Sequence, residues 1–374
     1  SNRLDHLLRR TNLALLNGTS PLGYAVGYSF NAAGRLDAVT DGTETASYSY
    51  LANSPLVEQT VFRQNGQLRM TTLRQYDLAN RLTSLRSTDS QGATLAAFNY
   101  GLTPASQRTS VTNADGSYLV YQYDSLGQVT SGKKYLANGV PVLGQQFDYA
   151  FDDIGNRKIA TTGGDQFGAN KRTQTYTVNL TNQVTSRTVP GYLDLLGSAN
   201  ASATVTVNNQ STSRQGEYWR YESAANNATG AVWLLLTNQA VLQNGSSPDY
   251  LTNWVTQTLV LKSPEAFTYD ADGNQTSDGR WTNTWDGENR LVAQETLPGA
   301  YNVGAPRQRL EYTYDLQGRR IGKRLSEYVS GNWTLRYALR FAWDQWNLVA
   351  DINPTNSAIL RSYAWGLDLS GSQQ

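Results

Sequence analysis

Cysteine is absent from this 374-residue sequence, and histidine and methionine occur once each. Without cysteine, disulfides and thiolate metal sites are excluded, although the compartment stays open because a secreted β protein can be stable without disulfides. The lone histidine, His6, leaves almost no material for Ser–His or Cys–His catalysis or for an ordinary zinc site. We interpret His6 as a solvated side chain and predict no cofactor and no bound metal.

Charge is also scarce. Charged residues make up 16% of the chain, and 31 basic residues nearly cancel 30 acidic ones. Such a balance does not steer a protein toward nucleic acid or anionic membrane. No window approaches the roughly 18 apolar residues of a membrane helix, and no signal peptide opens the chain. Because residue 1 is Ser, we expect a processed product or a fragment of a longer chain, with any secretion signal upstream.

Tyrosine is the residue in excess: the chain has 23 Tyr against 9 Trp and 8 Phe. A tyrosine can bury its ring while its hydroxyl stays in water or finds a hydrogen-bond partner. This composition favours thin layers with two solvent-exposed faces over one large hydrophobic core.

One short pattern recurs along the chain. It reads aromatic, any residue, aromatic, Asp, two variable residues, Gly or Asn, any residue and then an aliphatic. Looser copies replace Asp by Asn, as at Asn31 and Asn179. The repeat residues on which the prediction depends are Tyr76, Asp77, Tyr123, Asp124, Gly127, Phe151, Asp152, Gly155, Tyr269, Asp270, Gly273, Trp285, Asp286, Tyr314, Asp315, Gly318, Trp343 and Asp344.

The chemistry of the repeat predicts a β-hairpin. Aromatics two positions apart point to the same face of a strand. Asp followed three positions later by Gly fits a type I turn, in which Asp bonds the backbone and a left-handed Gly closes the loop. An isolated hairpin is marginal in water, so successive units must pack side by side. The prediction is an all-β fold, a winding antiparallel sheet, with one short helix at Leu4–Leu16.

One stretch interrupts the repeats. Residues 183–262 hold alternating runs such as Ala203–Val207, separated by Asn-, Gly- and Ser-rich turns, which are typical of short strands. We therefore predict three segments. Residues 1–182 form the first repeat sheet, residues 183–262 an inserted β-sandwich-like domain, and residues 263–374 a second repeat sheet.

These repeats resemble the RHS or YD-repeat family of bacterial proteins. Thr185–Tyr192, followed by Ala203–Val207 and Gly216–Tyr218, resembles an insert of some members, and Arg340–Ser370 is similar to the entry into the family's conserved core. The resemblance implies a secreted or cell-surface β-sheet spiral that, in polymorphic toxin systems, forms a hollow shell around a C-terminal toxin. It also implies core aspartates that release the toxin by self-cleavage, beyond the point where this sequence stops. Asp368 belongs to the lead-in, so neither self-cleavage nor toxicity is assigned to this chain.

Carboxylate pairs are the remaining route to an enzyme, since glycosidases need two carboxyls about 5 to 10 Å apart. The pairs to inspect are Asp152 with Asp153 and Asp286 with Glu288. Most acids of the chain occupy the turn position, however, and turn capping explains them. Asp270–Asp278 imitates part of a calcium loop but lacks Gly at its sixth position and Glu at its twelfth. We predict that the chain is not an enzyme.

Three non-enzymatic readings stay open. The first is a segment of an encapsulating shell, whose partner is the rest of its own longer chain, a toxin or another cargo. The second is a carbohydrate-binding or adhesive surface, for which Trp333 and Trp346 are candidates because they lie off the repeat's anchor position. The third is a fibre subunit that pairs with further copies of itself through open sheet edges. No partner role for nucleic acid and no membrane insertion are predicted.

Overall fold

The structure is a computed structural model, and it describes residues 2–17 and 19–367. The predicted all-β fold of antiparallel hairpins is confirmed. Asp368, which the resemblance places in the lead-in to a conserved core, lies outside the described residues. Among those residues, no helix is long and apolar enough to cross a membrane.

The first half of the chain is a run of sixteen strands joined mostly by tight turns. Their bounds are β1 Asn2–Leu4, β2 Arg10–Asn17, β3 Ser20–Phe30, β4 Leu36–Asp41, β5 Glu44–Tyr50, β6 Val57–Gln64, β7 Gln67–Tyr76, β8 Leu82–Asp89, β9 Thr94–Leu102, β10 Arg108–Asn113, β11 Tyr118–Tyr123, β12 Val129–Tyr135, β13 Pro141–Phe151, β14 Arg157–Gly163, β15 Lys171–Val178 and β16 Val184–Arg187.

The middle of the chain holds seven strands of more variable length. Their bounds are β17 Tyr192–Ser198, β18 Thr204–Val207, β19 Gln210–Ser211, β20 Ser213–Gln215, β21 Tyr218–Ala224, β22 Val232–Asn244 and β23 Ser247–Val260.

The last part returns to short hairpins and contains one helix of four residues. The bounds are β24 Glu265–Ala266, β25 Thr268–Tyr269, β26 Gln275–Ser277, β27 Trp281–Trp285, β28 Leu291–Thr296, α1 Pro298–Tyr301, β29 Gln308–Tyr314, β30 Arg320–Val329, β31 Asn332–Asp344, β32 Asn347–Ile352 and β33 Ile359–Ser362.

The chain divides into two compact units. Unit 1 comprises residues 1–115, 312–324 and 336–374, and unit 2 comprises residues 116–311 and 325–335. Unit 1 thus combines the early strands with residues of late hairpins, and the three consecutive segments expected from the sequence stay a prediction.

In unit 1, strands β1 to β10 form an antiparallel meander in which each strand pairs with the next. β31, β32 and β33 pair in the same way. The core is small and rich in tyrosine, as expected for a thin layer. Its buried members are Leu13, Tyr24, Val26, Tyr28, Leu36, Val39 and Val349.

In unit 2, β11 to β16 continue the same meander pattern. β16 then pairs with β24, through Ser186 opposite Ala266 and Arg187 opposite Glu265. The chain therefore leaves this sheet after Arg187 and returns to it at Glu265. Strands β17 to β23 form an excursion between two neighbouring strands.

The excursion consists of two small sheets. One has the order β17-β21-β20 and the other β19-β18-β22-β23. Val207 and Leu236 from the four-stranded sheet and Trp219 from the three-stranded sheet share one buried cluster. This arrangement accords with the inserted β-sandwich-like segment expected over residues 183–262, whose bounds as a domain stay a prediction.

The predicted helix at Leu4–Leu16 is wrong. Residues 5–9 form a tight turn between β1 and β2, in which Asp5 Oδ1 accepts hydrogen bonds from the backbone N–H groups of Leu7 and Arg9, both at 2.9 Å. Leu8 takes the left-handed conformation with φ 59°. The leucine spacing imitated a helix, and the turn was hidden because Leu stands where the other copies have Gly or Asn.

Candidate functional site: the hairpin corners

The turn that joins the two strands of each repeat, which we call the corner, has one recurring geometry. Asp124 illustrates it. Its backbone N–H donates to Gln128 O at 3.0 Å, and Gly127 N–H donates to Asp124 O at 3.1 Å. Its carboxylate Oδ1 accepts from the N–H groups of Leu126 and Gln128, both at 2.9 Å. Gly127 has φ 80°. The acid thus binds amides that the tight turn leaves without strand partners.

The same pair of side-chain bonds forms at the other corners. Asparagine does this as well as aspartate, because its Oδ1 accepts from the same two amides. Oδ1 accepts from the second and fourth following amides at Asn31, Asp77, Asp152, Asn179, Asp270, Asp286 and Asp315.

An arginine four residues after the acid closes several corners. Arg81 donates from Nε to Asp77 Oδ2 at 2.7 Å and its Nη2 lies 2.6 Å from the same oxygen. The hydrogen bond from Arg81 holds the pKa of Asp77 below its ordinary value. At the equivalent corner, backbone and side-chain hydrogen bonds from Arg290 lower the pKa of Asp286. These carboxylates are therefore ionised acceptors near neutral pH.

The residue at this fourth position also reaches the next corner along the same edge. Arg81 Nη1 donates to Thr103 O at 2.8 Å. In unit 2, Asn274 Nδ2 donates to Asn289 Oδ1 at 2.7 Å, and Asn156 Nδ2 donates to Asn182 Oδ1 at 3.2 Å. Polar side chains thus join neighbouring corners, beyond the backbone ladder.

An aromatic residue just before the corner forms a second link, which we call the aromatic lock. Its polar tip donates to the carbonyl of the first strand residue after the preceding corner. Tyr76 Oη donates to Val57 O at 2.9 Å. The other locks are Tyr50 to Leu36 O, Tyr269 to Val184 O, Trp285 to Gln275 O and Trp343 to Arg320 O. At these five hairpins the ring therefore holds the backbone of the preceding one; Phe30 and Phe151, at the same position, have no polar tip to donate.

Asp344 departs from this geometry, although the sequence places it at a corner. β31 runs through Asp344, which pairs with Asn347 across a two-residue turn, and Gln345 takes φ 51°. Its carboxylate accepts instead from Arg10, with Nη2 to Oδ1 at 3.1 Å. The reason is loop length: a two-residue hairpin has no free amides for an acid at its first position.

Sequence reasoning missed further corners that lack the aromatic pair. Asp89 Oδ1 accepts from Gln91 and Ala93 amides, and Asp165 makes the same bonds with the amides two and four residues on. The signal that could have found them is Asp-x-x-Gly alone, without the preceding rings.

Three of the four candidate catalytic carboxylates, Asp152, Asp286 and Glu288, have hydrogen-bond or ion-pair partners. Arg290 binds both Asp286, at 2.8 Å, and Glu288, at 2.7 Å. Asp152 Oδ1 accepts from two amides of its corner, and the hydrogen bond from Asn156 lowers the pKa of Asp152. Within residues 2–17 and 19–367, no group of three His, Cys, Asp or Glu side chains is arranged to hold a metal ion.

The two candidate glycan-stacking tryptophans have different surroundings. Trp333 is flanked by guanidinium groups, with Arg309 at 4.6 Å and Arg307 at 5.3 Å from its ring centroid, and Tyr328 meets its edge at 5.4 Å. Trp346 lies at the tip of the β31–β32 hairpin and is 69% exposed. Of the two, Trp346 has the more accessible ring.

Comparisons with known proteins give partial matches. No family model matches the chain. The chain is 30% identical over 126 residues to the tRNA3(Ser)-specific nuclease WapA of Bacillus spizizenii, and 28% identical over 126 residues to the tRNA nuclease WapA of Bacillus subtilis. Each match covers 33% of this chain and 5% of the relative. The chain therefore corresponds to a small part of these large proteins.

Matches among solved structures include TcdB2-TccC3-TEV, at 13% identity over 94% of this chain and 21% of that one, with a TM-score of 0.28. TcdB2-TccC3 without its hypervariable C-terminal region matches 97% of this chain and 23% of that one, at 13% identity and a TM-score of 0.27. These scores are too low to bear on function.

Proposed function

We propose that the chain is a non-enzymatic structural segment of a secreted or cell-surface RHS-type protein, which encloses or presents a C-terminal domain such as a toxin. The proposal rests on the hydrogen-bond partners of the repeat's polar groups. The acids bind turn amides, the residues after them bind the next corner, and the aromatic tips bind the preceding hairpin. A wall built this way extends one hairpin at a time, because each unit contacts mainly its neighbours.

The relatives support this role in outline. They are proteins about twenty times longer than the matched region, and their names give a nuclease activity to the whole protein. The corner acids here are bound to amides and guanidinium groups, so they are poor candidates for general acid–base work. A scaffolding role fits a segment of this kind better than the nuclease activity itself.

The test begins with the gene. We expect coding sequence for a secretion or delivery region on one side and for a variable toxin-like domain on the other. In the complete protein, limited proteolysis should spare that C-terminal domain while it is attached to the repeat segment, and should degrade it once separated. Equal proteolysis of the attached and separated domain would overturn the proposal.

An enzymatic role is tested separately. Purified chain is incubated with a panel of aryl glycosides and with tRNA, beside the variants Asp152→Asn and Asp286→Asn. We expect no turnover by any of the three proteins. Turnover that is lost in either variant would assign catalysis to a corner acid and would refute the structural reading.

Trp346 favours a second candidate, an adhesive surface. Its exposed ring at a hairpin tip is an arrangement in which tryptophan stacks on sugars or proteins. Retention of the chain on immobilised glycans, and its loss in Trp346→Ala but not in Trp333→Phe, would support this role. No retention would remove it.

Strand β23 favours a third candidate, self-association. It lies at an edge of its sheet, and Leu251 and Val255 on it are 56% and 61% exposed. Unprotected edges add further strands readily. Sedimentation velocity should then show concentration-dependent growth, and a Val255→Lys variant should stay smaller; a monomer at high concentration would refute it.

A further inference from the structure

Within unit 1, early and late parts of the chain meet at one interface, which we call the seam. The early side is formed by β2 to β5, and the late side by the end of β31, by β32 and β33, and by residues 363–367. All of these residues belong to unit 1. β2 to β5 lie in one hydrogen-bonded sheet and β31 to β33 in another. The pairing of these strands therefore does not join the two sides, and side chains make most of the contacts across the seam.

The apolar part of the seam is small. Val26 of β3 and Val349 of β32 are both fully buried and belong to one cluster with Leu13, Leu36 and Val39. Among the described residues, Val349 is the only buried member of this cluster that the late side contributes. Because little apolar area is buried between the two sides, polar contacts supply a large share of the free energy that holds them together.

Two tyrosines of the early side bind the backbone of the late side. Tyr24 Oη donates to Tyr363 O at 2.9 Å, and the Tyr48 hydroxyl bonds the backbone of Leu367. A Cβ atom at Gly366 would clash with the same Tyr48 hydroxyl, so the late segment passes directly against this ring. Hydrogen bonds between uncharged groups contribute modestly to stability, and these two alone hold the sides together weakly.

An ion pair also crosses the seam, between Arg10 of β2 and Asp344 at the end of β31. Both terminal nitrogens of Arg10 contact the carboxylate, Nη2 at 3.1 Å from Oδ1 and Nη1 at Oδ2. The two side chains are 23% and 13% exposed, and the buried Tyr28 places its hydroxyl beside the same guanidinium. A bidentate pair of this kind is strong and directional. Removal of one partner leaves the other charge uncompensated in a partly buried site.

The repeat explains why these two charges are available to each other. Arg9, the neighbour of Arg10, donates from Nε to Asp5 of its own corner at 2.8 Å, which leaves Arg10 outside the corner. Asp344 stands at the acid position of the repeat, but its two-residue loop to Asn347 offers no corner amides. Its carboxylate is therefore free to bind a residue 334 positions earlier.

We propose that unit 1 opens reversibly along the seam, that the two sides separate with their own strand pairings intact, and that the Arg10–Asp344 pair is the latch that keeps them closed. Separation breaks a small cluster, the tyrosine bonds and the ion pair, whereas unfolding of either side breaks whole ladders of backbone hydrogen bonds. The seam is therefore the boundary at which unit 1 opens first. This opening does not depend on whether the chain encloses a further domain.

The test uses the whole chain, which has no cysteine, so that one introduced thiol reports on one site. Val349→Cys places the thiol in the seam, and Leu236→Cys, at a residue that is 1% exposed, places it in the core of the excursion. The rate of labelling by a thiol reagent in native buffer measures how often each site opens. Arg10→Gln or Asp344→Asn should raise the rate at residue 349 by about tenfold or more and leave the rate at residue 236 unchanged.

Asp77→Asn is the matched control, because it removes a corner ion pair of the same unit and should leave labelling at residue 349 as in the parent. Hydrogen exchange of the amides in β6 and β7 should also stay unchanged, since each side separates intact.

The variant that carries both Arg10→Gln and Asp344→Asn tests the latch itself. The two changes remove the same bond, so their combined effect on the labelling rate should be smaller than the product of the single effects. If Val349→Cys does not fold, Val26→Cys gives the same measurement from the early side. The proposal is refuted if the thiol is labelled only in urea that also unfolds β6 and β7, if Arg10→Gln accelerates both reporters equally, or if the two single effects multiply.

Discussion

The contribution of one aromatic lock to stability can be tested by removing a single oxygen atom. Tyr76→Phe removes the hydroxyl that donates to Val57 O at 2.9 Å and leaves the ring in place. A net hydrogen bond stabilises a protein by about 0.5 to 1.5 kcal/mol, and a buried acceptor left unpaired costs more. Because Val57 is buried and the remaining ring hinders access of water, we expect the free energy of unfolding to fall by about 1 to 1.5 kcal/mol.

The measurement is urea-induced unfolding, combined with native-state hydrogen exchange of the amides in β6 and β7. Exchange is needed because a chain of two units need not unfold in one step. Tyr100→Phe is the matched control: its half-buried ring lies in the same unit beneath the guanidinium of Arg108, at 4.3 Å. The reasoning fails if Tyr76→Phe is as stable as the parent, or if Tyr100→Phe loses as much.

Two further predictions concern the corners. The pKa values of Asp77 and Asp286 lie below the ordinary 3.8 in the folded chain. The stability that these carboxylates contribute is therefore complete above pH 3.8 and is lost as the pH falls through the lowered pKa. The urea midpoint should be constant from pH 7 to 5 and should fall below pH 4, and the fall should be less steep in a variant that carries both Asp77→Asn and Asp286→Asn. Gly318 has φ 79° with open space around its Cβ position, so Gly318→Ala should lower the free energy of unfolding by about 1 kcal/mol through backbone strain alone. Gly318→Asn should lower it less, because Asn80 and Asn289 take this left-handed conformation. Thermal unfolding of the two variants measures the difference.

The repeat could be found in the sequence because its chemistry is local. Asp, two residues and Gly suffice to form the corner bonds, whatever the strands around it do. Where one local feature changes, the same reasoning fails. Leu8 replaces Gly or Asn at the left-handed position, and the segment imitated a helix. At Asp344 the loop shortens to two residues, which removes the amides that an acid would bind.

The pairing of corners was beyond sequence reasoning for a different reason. The bond from Arg81 to Thr103 joins residues on separate hairpins, and the lock from Tyr76 to Val57 does the same. Nothing in either residue's neighbourhood along the chain indicates its partner. These links become visible only once the register of the strands is known, since a slip of one residue would turn each ring to the other face.

Strand β22 shows the same limit within the excursion. The face of β22 that packs inward carries Leu234, Leu236, Asn238, Ala240 and Leu242, so the alternation that predicts a strand holds with one polar exception. That exception is Asn238, which is 1% exposed and whose Nδ2 donates to Thr256 Oγ1 of β23 at 3.1 Å, so the amide joins two strands of one sheet. The alternation predicts a strand but not this partner, because only the register of β22 against β23, with Leu236 opposite Thr256, brings the two side chains together.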